Sequence, residues 1–400
     1  MSSGASRTGK LRSLADLTLR GRRVFVRADL NVPLRGGRVA DETRIRASQS
    51  TLDYILQHGG RVVIASHLGR PRGEPRPELS LRPIAETLAL PLAPDCIGPE
   101  VEALVEELGE GQALLLENLR FHDGEKNNDP AFAAELASLA ELYVNDAFGA
   151  VHRAHASIVG VPALLPEHAA GLLLTREVEA LSMLVESPEQ PFVAVVGGAK
   201  VSDKIAVMKN LLGPADSVLV GGAMAYTFLA AMGHSTGDSR VESDKTELAA
   251  QLLDEATRAG CELQLPVDHV AADNFDENAP PVAIDSRDIP DGLMGLDIGP
   301  RSQRAYQDAI AGARTLLWNG PMGVFEWPAF AEGTMAVANA VADSAAMSVV
   351  GGGDSVAALT ESGRQADVTH VSTGGGASLE FLEGRTLPGI AALDDGNDHA

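Results

Sequence analysis

The sequence has few cysteines, no long apolar run and a shortage of positive charge, and each shortage excludes a class of protein. Its two cysteines, Cys96 and Cys261, cannot build a disulfide framework, and they lack the spacing of a structural zinc site. No run of 18 apolar residues occurs, so no transmembrane helix is predicted. The 32 Lys and Arg stand against 55 Asp and Glu, a net charge of −23. That balance argues against nucleic-acid binding and against docking on anionic membranes.

The 400 residues are more than one compact core usually holds, so we expect two domains. Their charges differ. Residues 1–176 carry 20 basic and 22 acidic side chains, a balance of −2, whereas residues 177–400 carry 12 and 33, a balance of −21. One interpretation is that the acidic side chains of the second half only keep the protein soluble. A stronger form of it is that they are an adaptation to high salt. The other is that the first half keeps its arginines for a small anionic ligand.

Short apolar runs that end in glycine or a polar residue recur along the chain, usually followed by helix-like stretches. Near-continuous apolar strands alternating with helices are typical of parallel sheets buried on both faces. The pattern predicts an α/β fold of two doubly wound, Rossmann-like parallel-sheet lobes. The predicted strands are 23–30, 61–67, 113–118, 142–147, 192–198, 217–222, 263–267, 315–320, 347–351 and 369–373.

The break between the two series of strands falls at residues 172–190. Leu173, Val178 and Leu181 lie at helical spacings there, and Pro188 ends the pattern. We therefore predict a helix that connects the two lobes.

Residues that follow the strands predict the ligand site, because open parallel sheets bind ligands at the carboxyl ends of their strands. In the first half, arginines follow three successive strands, and their guanidinium groups match phosphate and carboxylate oxygens. A surface salt bridge would explain any single one of them, but the set predicts an anion site. Its members are Asp29, Asn31, Arg44, His67, Gly69, Arg70, Glu117, Asn118, Arg120, Asn145, Asp146, Arg153 and His155.

Glycine-rich turns follow the strands of the second half, at 197–198, 221–222, 351–353 and 374–376. Glycine clusters that open helices present bare N–H groups and the positive end of a helix dipole, which suits phosphates. Lys200 and Lys204, four residues apart, are expected on one helix face, and Asp354 is a candidate Mg²⁺ ligand. The second half is thus predicted to bind a polyphosphate.

Several known phosphate and nucleophile motifs are absent. The chain contains neither GxxxxGK[ST] nor a GxGxxG after a strand, which argues against a Walker-type kinase and weakens a dehydrogenase. HRD and DFG are also missing, which excludes the protein-kinase pattern. The one GxSxG match, GHSTG at 233–237, does not directly follow a predicted strand, so no nucleophile elbow is predicted.

A series of longer motifs resembles the phosphoglycerate kinase family, in order, over residues from about 14 to 393. The motifs are RADLNVP (27–33), SHLGRPRG (66–73), LLLENLRFHDGEKNND (114–129), NDAFGAVHRAHAS (145–157), GGAKVSDKI (197–205), GLDIGP (295–300), WNGPMGVFE (318–326), GGGDS (351–355) and STGGGASLEFLEG (372–384).

The resemblance implies reversible phosphoryl transfer between 1,3-bisphosphoglycerate and MgADP, a step of glycolysis and gluconeogenesis. It implies a 3-phosphoglycerate lobe (1–171), a hinge helix (172–190), a nucleotide lobe (191–375) and a segment (376–400) that returns to the first lobe. Residues 371–373 are a second hinge candidate. The lobes would close to bring the phosphates together. The implied partners are 3-phosphoglycerate or 1,3-bisphosphoglycerate and ATP or ADP, with Mg²⁺, in a cytoplasmic monomer.

Site residues carried over from the family fall into five groups. Arg44 and Lys200 would flank the transferred phosphoryl group, and Asp354 would hold Mg²⁺ through the nucleotide. The glycerate would be bound by Asp29, Asn31, Arg44, His67, Leu68, Gly69, Arg70, Arg120 and Arg153. The nucleotide site would comprise Gly198, Lys204, Gly222, Gly295, Asn319, Glu326, Gly352, Gly353, Asp354 and Ser355. The backbone amides of Gly374, Gly375 and Gly376 would stabilise the transition state.

Two alternatives remain beside the kinase. The first is a non-catalytic protein that binds nucleotides or sugar phosphates on the same fold. The loss of Arg44, Lys200 or Asp354 would favour it, and all three are present. The second is a dehydrogenase, which the missing GxGxxG disfavours. Ala223 stands where the family usually has glycine beside the adenine, so nucleotide preference stays open.

Overall fold

The computed structural model describes residues 11–394; the predicted domain limits at residues 1 and 400 lie outside them. The described chain forms two compact units. The first comprises residues 11–179 with 386–394, and the second is Ala180–Arg385. No helix among the described residues is long and apolar enough to cross a bilayer.

The first unit follows the predicted alternation of strands and helices. Its elements are β1 (Arg23–Ala28), β2 (Leu34–Arg35), β3 (Arg38–Val39), α1 (Thr43–Gln57), β4 (Arg61–Ala65), α2 (Arg82–Leu88), α3 (Pro99–Glu106), β5 (Ala113–Leu115), α4 (Asp123–Asn127), α5 (Pro130–Ser138), β6 (Leu142–Asp146), α6 (Val161–Leu164), β7 (His168–Ala170) and the start of α7 (Leu172–Glu186).

A five-stranded parallel sheet organises this unit, in the order β5-β4-β1-β6-β7. Strand β1 lies in the middle of this sheet, and its apolar side chains are covered on both faces. Val24 and Val26 pack in one cluster with Ile55 of α1, while Phe25 stacks on Tyr143 of β6. The strand order reverses at β1, so the loops after β1, β4 and β6 meet at one edge of the sheet.

The second unit repeats the plan. Its elements are the rest of α7, then β8 (Phe192–Val196), α8 (Ile205–Leu211), β9 (Ser217–Val220), α9 (Met224–Ala231), α10 (Thr246–Ala259), β10 (Glu262–Gln264), β11 (His269–Ala272), β12 (Val282–Ile284), β13 (Met294–Ile298), α11 (Pro300–Ala311), β14 (Thr315–Asn319), α12 (Glu332–Asp343), β15 (Met347–Val350), α13 (Gly353–Glu361), β16 (His370–Val371) and α14 (Gly376–Leu382). The last helix, α15 (Pro388–Ala391), belongs to the first unit.

Its main sheet is also parallel, with six strands in the order β10-β9-β8-β14-β15-β16. The order reverses between β8 and β14, so the loops after β8, β14 and β15 converge. Trp318, fully buried in β14, lies in the hydrophobic cluster that joins this sheet to α12 and α13. The prediction of two doubly wound parallel-sheet lobes is confirmed.

Some elements differ from those predicted. Each predicted strand overlaps an observed one. Most observed strands end two or three residues before the predicted end, because the last residues leave the ladder to form loops. The sequence pattern missed β7, the β2–β3 hairpin and a three-stranded antiparallel sheet, β12-β11-β13. The helix predicted over 172–190 is observed as α7, which ends two residues before Pro188.

Candidate active site

The loop after β1 begins the polar edge of the first unit. Asp29, 5% exposed, follows the strand directly, and its Oδ2 lies 3.1 Å from Nη1 of Arg44 on α1. The same Arg44 nitrogen donates to the carbonyl of Asn31 (3.1 Å), and the Asn31 Oδ1 accepts from the N–H of Gly69 (2.9 Å). The loops after β1 and β4 are thereby tied together beside an arginine that still faces solvent with a third of its side chain.

His67 and Arg27 lie beneath this loop. Arg27 is fully buried in β1, and its Nη2 lies 3.1 Å from Nδ1 of His67. The pKa of His67 is held well below its usual range, first by burial and then by the positive charges of Arg27 and Arg120. His67 is therefore a neutral imidazole at physiological pH.

Asn118, fully buried after β5, positions the remaining loop. Its Oδ1 accepts from the N–H groups of Leu68 (3.2 Å) and Arg120 (3.1 Å), and its Nδ2 donates to the Leu68 carbonyl (2.8 Å). Arg120 in turn donates from Nη1 to the carbonyl of Gly69 (2.9 Å). Leu68, a predicted site residue, is thus a buried anchor whose backbone fixes its loop.

Cations outnumber acids in this cluster, although the whole chain is strongly acidic. Burial, with the charges of Arg27 and Arg153, lowers the pKa of Arg120 to about 10, whereas Glu125 and Asp29 act in the opposite direction. The Nε of Arg120 is buried and has no hydrogen-bond partner among the described residues. An unpaired buried donor among positive charges is what an anion site requires.

Two further residues support the cluster and were not predicted as site residues. Ser157, on a π-helical turn (Ala156–Gly160), accepts from Nε of Arg27 (2.8 Å) and donates to Glu125 (2.7 Å). Glu125 is fully buried, and its pKa is lowered despite burial by the nearby His155 ring (3.6 Å), by the Arg27 charge and by hydrogen bonds from Ser157. The sequence signal was a charged residue, Arg27, within the apolar run of β1.

Arg70 and Arg153 differ from the rest of the predicted set because both are exposed. Arg153 acts electrostatically on Arg120 and so belongs to the cluster. Arg70 directly follows Gly69, whose positive φ of 60° turns the chain there. Both residues face solvent, in contrast to the buried His67.

In the second unit, glycines let the loops after β8 and β14 touch. A Cβ on Gly320 would lie 2.0 Å from the carbonyl oxygen of Gly197, and φ at Gly320 is +108°. A Cβ on Gly222, where φ is +67°, would lie 2.5 Å from the carbonyl oxygen of Gly198. Backbone fills this space, so only glycine fits.

Asn319 links three of the loops. Its Oδ1 accepts a short hydrogen bond from Nζ of Lys204, its Nδ2 donates to the carbonyl of Gly351 (2.8 Å), and its own carbonyl accepts from Gly197 (3.0 Å). Burial lowers the pKa of Lys204, while Asp203 and Asp354 oppose the shift. The ammonium group is therefore held in place beside the glycine loops.

The loop after β15 leads directly into α13. Gly352 has a positive φ of 91°, Asp354 is exposed in the first turn of the helix, and Ser355 is buried with its Oγ accepting from the N–H of Gly320 (2.6 Å). A Cβ at Gly353 would meet no atom within 4 Å, so the helix N-terminus opens onto free space. Asp354 fits a hard cation there, because carboxylate oxygen is the ligand that Mg²⁺ prefers.

The other predicted residues of this unit are arranged less closely. Lys200 and Glu326 are exposed. Gly295 lies in β13, where a Cβ would be 2.2 Å from the Tyr226 hydroxyl. The 374–376 turn leads into α14, and the N–H of Gly374 donates to Oγ of Ser372 (3.3 Å).

The prediction that Lys200 and Lys204 share a helix face is wrong. Helix α8 begins at Ile205, and residues 201–204 form turns. Gly197 and Gly198 hold the backbone against the neighbouring loops, so the helix begins only after this contact.

Known proteins of similar sequence and fold identify the family. The phosphoglycerate kinase family profile matches residues 14–385. The chain belongs to the phosphoglycerate kinase family. Phosphoglycerate kinases of Moorella thermoacetica and Koribacter versatilis are 55% and 53% identical to it, over 96% and 95% of this chain and 99% and 98% of theirs. The solved phosphoglycerate kinase of Coxiella burnetii has a TM-score of 0.89 at 42% identity, covering 96% of this chain and 98% of that one.

Family membership confirms the predicted activity class. The chain is a kinase, an enzyme that uses a nucleotide and transfers a phosphoryl group to a carboxyl acceptor. The alternatives of a binding protein and of a dehydrogenase are not supported.

Proposed function

We propose that this enzyme transfers the phosphoryl group of 1,3-bisphosphoglycerate to MgADP, reversibly, giving 3-phosphoglycerate and MgATP. The cluster of Arg27, Arg44, His67 and Arg120 is the main support for a glycerate site. Within it, the buried Nε of Arg120 has no hydrogen-bond partner among residues 11–394. Two anionic groups on one small molecule, a phosphate and a carboxylate, match this concentration of donors.

The glycerate is bound by the loops after β1, β4, β5 and β6. Arg120 and the exposed Arg70 and Arg153 take the 3-phosphate, because guanidinium groups bind phosphate oxygens in pairs. Asp29 accepts from the substrate hydroxyl and also holds Arg44 in place (3.1 Å). Asn31, His67, Leu68 and Gly69 complete the walls of this site.

The nucleotide phosphates lie on the glycine loops of the second unit. Lys204 binds them through its ammonium charge, which Asn319 positions. Gly352, Gly353 and Ser355 bind them at the N-terminus of α13. Asp354 holds Mg²⁺, which neutralises phosphate charge when bound. The remaining contacts of this site are Gly198, Gly222, Gly295 and Glu326, the last to the ribose.

The transferred group moves between two oxygens. The bond from phosphorus to the acyl oxygen breaks as the bond to the terminal oxygen of ADP forms, and the carboxylate leaves without needing a proton. The protein therefore positions the reactants and supplies positive charge. Lys200, Arg44 and the amides of the 374–376 turn have that role.

The two ligands must meet for this reaction. We propose that the predicted lobes, 1–171 and 191–375, close about α7 and residues 371–373, and that closure excludes water. The enzyme is proposed to act as a cytoplasmic monomer.

The test is steady-state formation of 1,3-bisphosphoglycerate from 3-phosphoglycerate and MgATP, coupled to NADH oxidation. We compare the unmodified enzyme, Lys200→Ala and Lys209→Ala; Lys209 is half-exposed on α8 and paired with Glu255 (3.4 Å). Lys200→Ala should lower kcat by about 100-fold or more, whereas Lys209→Ala should leave kcat unchanged. Equal rates in both variants contradict the role of Lys200. A folded unmodified enzyme that binds MgATP without turnover contradicts the reaction itself.

A further inference from the structure

Away from the anion cluster, three side chains of different ligand types converge in the first unit. A carboxylate oxygen of Asp95, the Sγ of Cys96 and a ring nitrogen of His122 all lie within 4.8 Å of one another. Within residues 11–394, no other group of three such side chains is this close. None of the three has a role in the proposed reaction.

The geometry combines one fixed ligand with two adjustable ones. Cys96 is fully buried, whereas the side chains of Asp95 and His122 are 46% and 30% exposed. His122 Nε2 and Asp95 Oδ1 are 2.7 Å apart, and that oxygen also accepts from the N–H of Cys96 (2.7 Å). His122 stacks on Phe132, which sets the plane of its ring.

Two of the three side chains, His122 and Asp95, line clefts that open to solvent. His122 lines a cleft of about 420 Å³ together with three acids, Asp123, Asp129 and Glu135. Asp95 lines an adjoining cleft of about 630 Å³. The acidic walls would concentrate divalent cations at the opening.

We propose that Asp95, Cys96 and His122 bind a single Zn²⁺ ion, with water as the fourth ligand. Zn²⁺ takes sulfur, nitrogen and carboxylate oxygen together in a tetrahedron, and its bonds of about 2.0–2.3 Å place ligand atoms roughly 3.5 Å apart. The exposed Asp95 and His122 need to move by only about 1 Å to reach that spacing. Mg²⁺ does not compete here, because only one of the three ligands is oxygen.

Binding displaces protons from the site. The thiol of Cys96 loses its proton to the buffer as the Zn–S bond forms, and Nε2 of His122 gives up the proton that it shares with Asp95. The ion thus replaces the hydrogen bond between His122 and Asp95 as the link between their two segments.

Co²⁺ is the probe, because a Co²⁺–thiolate bond has a charge-transfer band in the near ultraviolet. Untagged, nucleotide-free full-length enzyme is titrated with Co²⁺, and Zn²⁺ is then added. We expect one Co²⁺ per chain, a thiolate band, and loss of the band on addition of Zn²⁺. Absence of the band in the unmodified enzyme overturns the proposal.

Three variants assign the ligands. Cys96→Ser should abolish the band, and Cys261→Ser, which changes the other buried cysteine, should keep it. His122→Gln should weaken Co²⁺ binding at least about 10-fold, and it tests the site even if Cys96→Ser folds poorly. A band that survives in Cys96→Ser, or that disappears in Cys261→Ser, overturns the assignment, as does unchanged affinity in His122→Gln.

Discussion

Arg27 donates a hydrogen bond from Nη2 to Nδ1 of His67, across 3.1 Å in the interior of the first unit. A guanidinium group has donors only, so Nδ1 must be the acceptor, and the single proton of the neutral ring is on Nε2. The low pKa of His67, caused by burial and neighbouring positive charges, keeps the ring in this form. The Nε2 of His67 is therefore an N–H donor on a ring that carries no charge.

The tautomer of His67 can be tested by two amide substitutions. Gln places an N–H donor where Nε2 stands, whereas the amide of Asn reaches only the Nδ1 position. His67→Asn should raise the Kd for 3-phosphoglycerate about 10–100-fold, the effect of one hydrogen bond to a charged group. His67→Gln should keep most of the affinity, measured by calorimetry. Equal losses in both variants would show that a charged imidazole is what binds.

A substitution of Lys204 should weaken the binding of the nucleotide only. Lys204→Met removes an ammonium group that Asn319 positions, so the Kd for MgADP should rise about 10–100-fold. The Kd for 3-phosphoglycerate should not change, because its proposed site lies on the other unit. The control is Lys245→Met, which removes an ammonium group paired with Asp244 at 2.9 Å. Weakened 3-phosphoglycerate binding in Lys204→Met would contradict this separation.

Gly320→Ala should destabilise the second unit by about 2 kcal/mol or more, because a methyl group would meet the Gly197 carbonyl in a left-handed backbone conformation. Gly213→Ala is the matched control, since its Cβ would have no neighbour within 4 Å and its φ is not positive. Urea unfolding followed by tryptophan fluorescence reports this unit, which contains both Trp318 and Trp327. Similar midpoints for the two variants would refute the close contact.

Asp297 should make the second unit less stable as the pH rises. Burial raises its pKa to about 7, whereas the unfolded chain loses this proton near its usual value of about 4. Between these values the folded state holds the extra proton, so the free energy of unfolding falls with increasing pH and levels off above about 7.

Urea midpoints from pH 4.5 to 8 measure the effect. Asp297→Asn should flatten the slope, and Asp308→Asn, at an exposed acid on α11, should leave it unchanged. A slope in Asp297→Asn as steep as in the unmodified enzyme would count against a buried, protonated Asp297.

Local sequence patterns predicted the main strands well, and they failed where neighbouring segments override local preference. The apolar run around Val24 and Val26 can be buried only in a sheet covered on both faces, so periodicity is sufficient there. The spacing of Lys200 and Lys204 is helical, but contacts of Gly197 with the loop after β14 keep this stretch out of α8. The short strands β11 and β12 have no distinctive period, and they exist because they pair with β13.

The sequence alone determined the two doubly wound lobes, the family, and most of the residues at the strand ends, because parallel topology brings strand ends together whatever the side chains do in detail. Only the tertiary structure decided how Arg27, Ser157 and Glu125 support His67 from below, since 130 positions separate Arg27 from Ser157. It alone placed Cys96 beside His122, which no sequence spacing for a zinc site indicates. Burial then determined the chemistry, because a buried charge or thiol must be paired, shifted in pKa or bound to an ion.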